Sequence, residues 1–136
     1  MGALSGIDGA VDSIEIPAMQ TTISNSSGNV ANANAVATLP AVPGLVNYLT
    51  GFQAAASGAT AGLAVNLTVT GVKGGTMTLP FTFPAGVLVG AYPLTVNFFP
   101  ALQATGPNVA IVVTLPAGGA GNAHAGVSAQ GFTLGQ

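Results

Sequence analysis

Three acids, Asp8, Asp12 and Glu15, stand at i, i+4 and i+7, so on a helix their carboxylates would share one face. Such a face could hold a divalent cation or raise one carboxyl pKa for acid–base work. The segment lacks the glycine-centred spacing of a calcium loop, and a solvated face or a contact to a basic partner accounts for the same residues. His124, the one histidine, falls in Gly119-Ala120-Gly121-Asn122-Ala123-His124 with no carboxylate or thiol near it in sequence. It is expected to be a loop histidine rather than a ligand or general base. Serine and threonine are abundant, but a nucleophile needs a base and an orienting acid, and no acid follows Glu15. Gly71-Val72-Lys73-Gly74-Gly75 lacks the Ser/Thr after the lysine and the following helix of a phosphate-binding loop, so it is expected to be a hairpin turn. The expectation is therefore no catalytic residue, no cofactor site, no metal site and no enzyme.

The same inventory leaves the chain nearly uncharged. It has one Lys and three acids in 136 residues, a net charge of −2 and 49% hydrophobic residues, where an ordinary domain is about a quarter charged. Gly, Thr, Asn, Ser and Pro fill the gap, a neutral polar mixture unlike the charged composition of disordered chains. The absence of cysteine excludes disulfides and thiolate chemistry. One lysine offers phosphate backbones no basic footprint, so no nucleic-acid partner is expected. Apolar runs are short and broken by Gly, Pro or Asn, so no membrane span is expected, and the N-terminus carries no secretory signal pattern.

All three acids lie in residues 1–20, which hold the one stretch of helical spacing, Ile7, Val11 and Ile14. This segment is expected to be an N-terminal arm, extended or a short helical turn, with Ile7, Asp8, Val11, Asp12, Ile14 and Glu15 as its docking residues. Residues 21–136 then form one domain of size sufficient for a core. Alternation with period two marks its strands. Ala31, Ala33, Ala35 and Ala37 alternate with Val30, Asn32, Asn34 and Val36. In 45–54, Tyr48, Thr50 and Phe52 are expected on one side. Leu63, Val65, Leu67 and Val69, then Met77, Leu79, Phe81 and Phe83, form a hairpin across the 71–75 turn, with Pro80 at an edge or bulge. Leu94, Val96 and Phe98 follow, then Val109, Ile111, Val113 and Leu115. The last segment, 125–134, is expected to point Val127, Ala129 and Phe132 inward. Seven to eight strands without a helix in the body predict an all-β antiparallel sandwich or jelly-roll-like domain.

Sheet edges of free proteins are guarded by charge or proline. Strands rich in Val, Thr and Phe without charged gatekeepers are expected to be covered by assembly.

The ordered set Ser27-Gly28-Asn29-Val30-Ala31-Asn32-Ala33, Ala37-Thr38-Leu39-Pro40-Ala41-Val42-Pro43-Gly44, Asn47-Tyr48-Leu49-Thr50-Gly51-Phe52, Gly58-Ala59-Thr60-Ala61, Gly74-Gly75-Thr76-Met77, Gly106-Pro107-Asn108-Val109-Ala110-Ile111-Val112-Val113, Gly119-Ala120-Gly121-Asn122 and Ala129-Gln130-Gly131-Phe132 resembles a family of small β-sandwich structural proteins of tailed bacteriophages. The match covers most of 24–135 and leaves out the arm. The resemblance implies a virion-associated part and supplies no functional residues. The expected function is a capsid decoration or cement protein that self-associates, as a trimer or otherwise. It would bridge major capsid protein subunits at the virion surface, the arm docking into a basic groove. The alternative is a head-fibre or tail module that recognises a host glycan or receptor. A main shell-forming protein ranks third, because 136 residues is short for one.

Overall fold

The computed structural model describes residues 20–135. The proposed docking residues Ile7, Asp8, Val11, Asp12, Ile14 and Glu15 lie outside the described residues. Among the described residues there are eight strands and no helix. They are β1 (Gln20–Ser26), β2 (Ala35–Leu39), β3 (Leu45–Ala56), β4 (Leu63–Thr70), β5 (Met77–Phe83), β6 (Leu94–Gln103), β7 (Ile111–Leu115) and β8 (Ala125–Gly135). Two four-stranded antiparallel sheets run β1-β8-β3-β6 and β2-β7-β4-β5. The pairings β1·β8, β2·β7, β3·β6 and β4·β5 are nested, as if one long hairpin had been rolled up. That nesting is jelly-roll topology.

Alternation carries the core. Leu39, Leu67, Phe83, Ile111, Val113 and Leu115 of one sheet meet Leu49, Phe52, Ala54 and Val127 of the other, all essentially without solvent exposure. Burying a large apolar side chain contributes about 1.5–3 kcal/mol. A one-residue slip would move a whole strand's set to the outer face, so the alternation also fixes register. The β4/β5 hairpin forms with Leu67 opposite Leu79, and Pro80 sits on β5, the sheet's edge strand.

Three local expectations are corrected. Tyr48 and Thr50 do not share a face with Phe52: the β3 ladder shifts register between Leu49 and Gly51. One extra residue there reverses the phase, which leaves Tyr48 half-buried and Phe52 fully buried. Phe132 does not point inward; it stacks on Tyr48, ring centroids 4.8 Å apart and planes 11° from parallel. Buried Gly131 and Thr133 hold the inward phase in its place.

The alanine alternation also does not run as one strand. Ala35 and Ala37 are buried in β2, but Ala31 to Asn34 are exposed and bent, with Asn32 at φ 45°. Asparagine tolerates that left-handed conformation, and its side chain competes for local backbone partners. Finally, β1 is a strand that period-two hydrophobicity did not mark. Its sequence QTTISNS is exposed except for half-buried Ile23, and backbone pairing to β8 defines it.

Candidate functional site

The groups with catalytic potential do not assemble into a centre among the described residues. Among the described residues no group of three or more His, Cys, Asp or Glu is placed to hold a metal ion. His124 is exposed, its Nδ1 3.1 Å from Asn29 Oδ1. Its backbone N–H donates to Ser57 Oγ (3.2 Å), and Ser57 N–H donates to His124 O (2.8 Å). The histidine is thus pinned to the β3 end by its main chain, beside neutral partners alone. Lys73 is exposed in the β4–β5 turn, where its N–H donates to Gln103 O (2.9 Å). All the acids precede Gln20, so no described carboxylate side chain faces it.

Asparagines do the work of joining these loops. Buried Asn122 donates through Nδ2 to Ser57 O (2.8 Å) and His124 O (3.2 Å), while its Oδ1 accepts from Asn32 N–H (3.1 Å). Asn32 Oδ1 accepts from Gly119 N–H (3.0 Å), and Asn34 Oδ1 from Ala117 N–H (3.1 Å). The Asn29–Asn34 segment is thereby laced onto the 117–124 loop without a charge. Asn122→Ala is expected to lower unfolding free energy by about 1–2 kcal/mol, because three part-buried backbone groups lose their side-chain partner. A urea titration measures this, and an unchanged midpoint would refute the lacing role.

The surface itself departs from an ordinary domain at one ribbon, residues 84–92. Leu88 and Tyr92 are each 95% exposed, and Val87 and Val89 are also exposed. This is not a loose loop. Gly86 N–H donates to Ala59 O (2.7 Å), Gly58 N–H to Val89 O (2.6 Å) and Ala91 N–H to Ala56 O (2.9 Å). The backbone is fastened along the end of β3, so the two large apolar side chains are held out from a fixed base. Between the ribbon and β5 runs a groove of about 500 Å³ lined by Pro80, Phe81, Pro84, Val89, Tyr92 and Leu94. Phe99 on β6 is a further fully exposed aromatic. Rigid exposed apolar groups beside an apolar groove are the parts of a protein-docking surface.

Leu88 was not singled out from the sequence. The Val87-Leu88-Val89 run, closed in by Gly86 and Gly90, was its signal: too short for a strand, yet apolar in a turn.

A second feature lies on the outer face of the β1-β8-β3-β6 sheet. The Tyr48–Phe132 stack borders a shallow cavity of about 360 Å³ whose polar lining comes from Thr22, Ser24, Thr50 and Gln130.

No family model, curated protein or solved structure matches the chain. The fold and surface define a neutral jelly-roll domain with one apolar ribbon on display.

Proposed function

We propose that the protein is a non-enzymatic virion structural protein of a tailed bacteriophage, a decoration or cement protein that bridges major capsid subunits. The observation that carries this reading is the pair Leu88 and Tyr92, fixed on a hydrogen-bonded ribbon of an almost uncharged jelly roll. Charge is depleted at the centres of protein interfaces, and large apolar anchors dominate their energetics. Jelly rolls serve as viral capsid domains, an analogy of fold that adds support. The resemblance across 24–135 points the same way. Repetition of the contact around a symmetric shell multiplies a modest affinity. The acidic arm, with Asp8, Asp12 and Glu15, adds a tether toward a basic groove.

The test is occupancy on capsids of the source phage that lack the protein. The full-length chain binds, and Leu88→Ser with Tyr92→Ser weakens binding by about tenfold or more, as loss of apolar anchors does. Deletion of residues 1–19 abolishes attachment while the circular dichroism of the sandwich persists. Failure of the full-length chain to bind would reject the reading, and unchanged occupancy in both variants would reject these docking elements.

The stacked Tyr48–Phe132 pair beside hydroxyl and amide side chains favours one second reading, a fibre or tail module that binds a host glycan. Jelly rolls also serve as lectin domains. Saccharide-induced NMR shifts confined to Tyr48, Phe132 and Gln130 would establish it over the first.

A further inference from the structure

A two-sheet jelly roll has four edges, and three of them carry a device that hinders strand addition. Pro80 on β5 and Pro100 on β6 each lack a donor. On β2, Thr38 O is taken by Asn25 Nδ2 at 2.8 Å. The fourth edge, β1, has no proline, no charge and no bulge over its seven residues.

The direction of its free backbone groups follows from the ladder. Ser27 N–H donates to Val127 O (2.9 Å), in register with the β1·β8 pairs. In an antiparallel ladder, residues alternate between facing the partner and facing away. Thr21, Ile23 and Asn25 therefore bond to β8, while Thr22 and Ser24 aim both N–H and C=O at the open edge. Ser26 N–H is already engaged by Asn25 Oδ1 (2.7 Å). Among the described residues this edge thus offers complete donor–acceptor sites at Gln20, Thr22 and Ser24, the two central ones flanking Ile23.

We propose that β1 is a self-pairing edge: two copies join their β1 strands antiparallel about a two-fold axis at Ile23. Each four-stranded sheet then continues into the other. In this register Thr22 bonds to the partner's Ser24, and Ser24 to the partner's Thr22, which uses every free group of both central sites. The two Ile23 residues face each other as a non-hydrogen-bonded pair, with Cα atoms about 4.5 Å apart. Ile23 is the one large apolar residue of β1 and is half-buried in the single copy. Its mate covers the remainder. Hydroxyls meet hydroxyls at the flanking positions, and no like charges meet anywhere along the strand. A second copy fits this edge because the sequence about Ile23 is complementary to its own reverse. The contact is isologous and closes on itself. It does not depend on the capsid reading, and its two-fold symmetry differs from that of the expected trimer.

Sedimentation equilibrium of the full-length chain tests the pairing. The expected mass rises with concentration from the 13.1 kDa chain to twice that value. Ser24→Pro removes an N–H that faces away from β8, so the fold and its thermal midpoint persist while the dimer dissociation constant rises by about tenfold or more. A second variant covers the case in which Ser24→Pro does not fold. Ile23→Cys, in a chain without other cysteines, forms a disulfide-linked dimer under mild oxidation much faster than Thr78→Cys on the β5 edge. A monomer at every concentration, a trimer insensitive to Ser24→Pro, or equal cross-linking of the two cysteine variants would overturn the proposal. Capsid occupancy that survives Ser24→Pro leaves the decoration reading standing whether or not the dimer forms.

Discussion

Asn47→Leu is expected to lower the unfolding free energy by about 2–4 kcal/mol, since a buried group stripped of its partner costs about 1–3 kcal/mol. Asn47 is 1% exposed on β3. Its Nδ2 donates to Leu39 O (3.2 Å), Pro40 O (2.8 Å) and Val109 O (3.2 Å). One side chain thus ties β3 to the β2–β3 corner and to the segment that enters β7. Leucine keeps the branched outline but is larger, so the cost combines the lost hydrogen bonds with some overpacking at this fully buried site. The effect is less than the sum of three lost partners, because two N–H hydrogens are shared among three acceptors and the buried Asn47 Oδ1 has no partner to begin with. Its removal offsets part of the cost. Asn47→Asp is expected to be worse, since it turns a second oxygen toward three carbonyl oxygens and buries a charge. Urea denaturation at constant m-value measures both changes, and a shift below about 0.5 kcal/mol would contradict the role given to Asn47.

Gly131→Ala is expected to cost about 3 kcal/mol or more, the upper end for overpacking, because the clash is with main chain. A Cβ at Gly131 would sit inside contact distance of the Tyr48 carbonyl oxygen, and 3.0 Å and 3.2 Å from Tyr48 C and Leu49 Cα. Side chains can swing away; these atoms belong to the bulged strand and cannot. Relief requires β3 and β8 to part where the register shifts between Leu49 and Gly51. The Tyr48–Phe132 stack lies on the outer face at the same place, so it should loosen as well. The thermal midpoint should fall by about 10 °C or more, with a change in near-ultraviolet circular dichroism from the displaced Tyr48. An alanine variant that melts with the parent would show that the close approach is not needed.

The strands with strict alternation were legible because a half-buried strand has to alternate. Leu67 and Val69, Phe81 and Phe83, and Ile111, Val113 and Leu115 are buried in the phase their spacing required. The edge position of Pro80 followed from its missing N–H. Errors arose where a non-local partner decides the outcome. The phase reversal in β3 comes from its pairing with β8 and β6, and Gly51 in mid-strand is its one local sign, which names neither the bulged residue nor the new phase. Asn32 and Asn34 resembled the polar face of a strand until the 117–124 loop supplied amides for them to accept. β1 stayed hidden because an exposed edge strand needs no apolar face.

The candidate surface divides the same way. Composition alone determined that this domain meets its surroundings with side chains that carry almost no charge, Lys73 excepted, and offers no acid–base pair among residues 20–135, since that depends on which residues exist. The all-β class was likewise determined, because period-two burial is a local consequence of the pleat. Tertiary structure decided which apolar residues remain outside. Leu88 is as hydrophobic as Leu67, and Tyr92 carries an aromatic ring like that of Phe83; they are exposed because their ribbon is fastened to the end of β3, away from the space between the sheets. It also decided which edge is open, since an edge exists once strand order is set, and strand order depends on contacts between residues as distant as Ser26 and Ser128. Local sequence fixes the pleat of each strand, and long-range pairing chooses its neighbours.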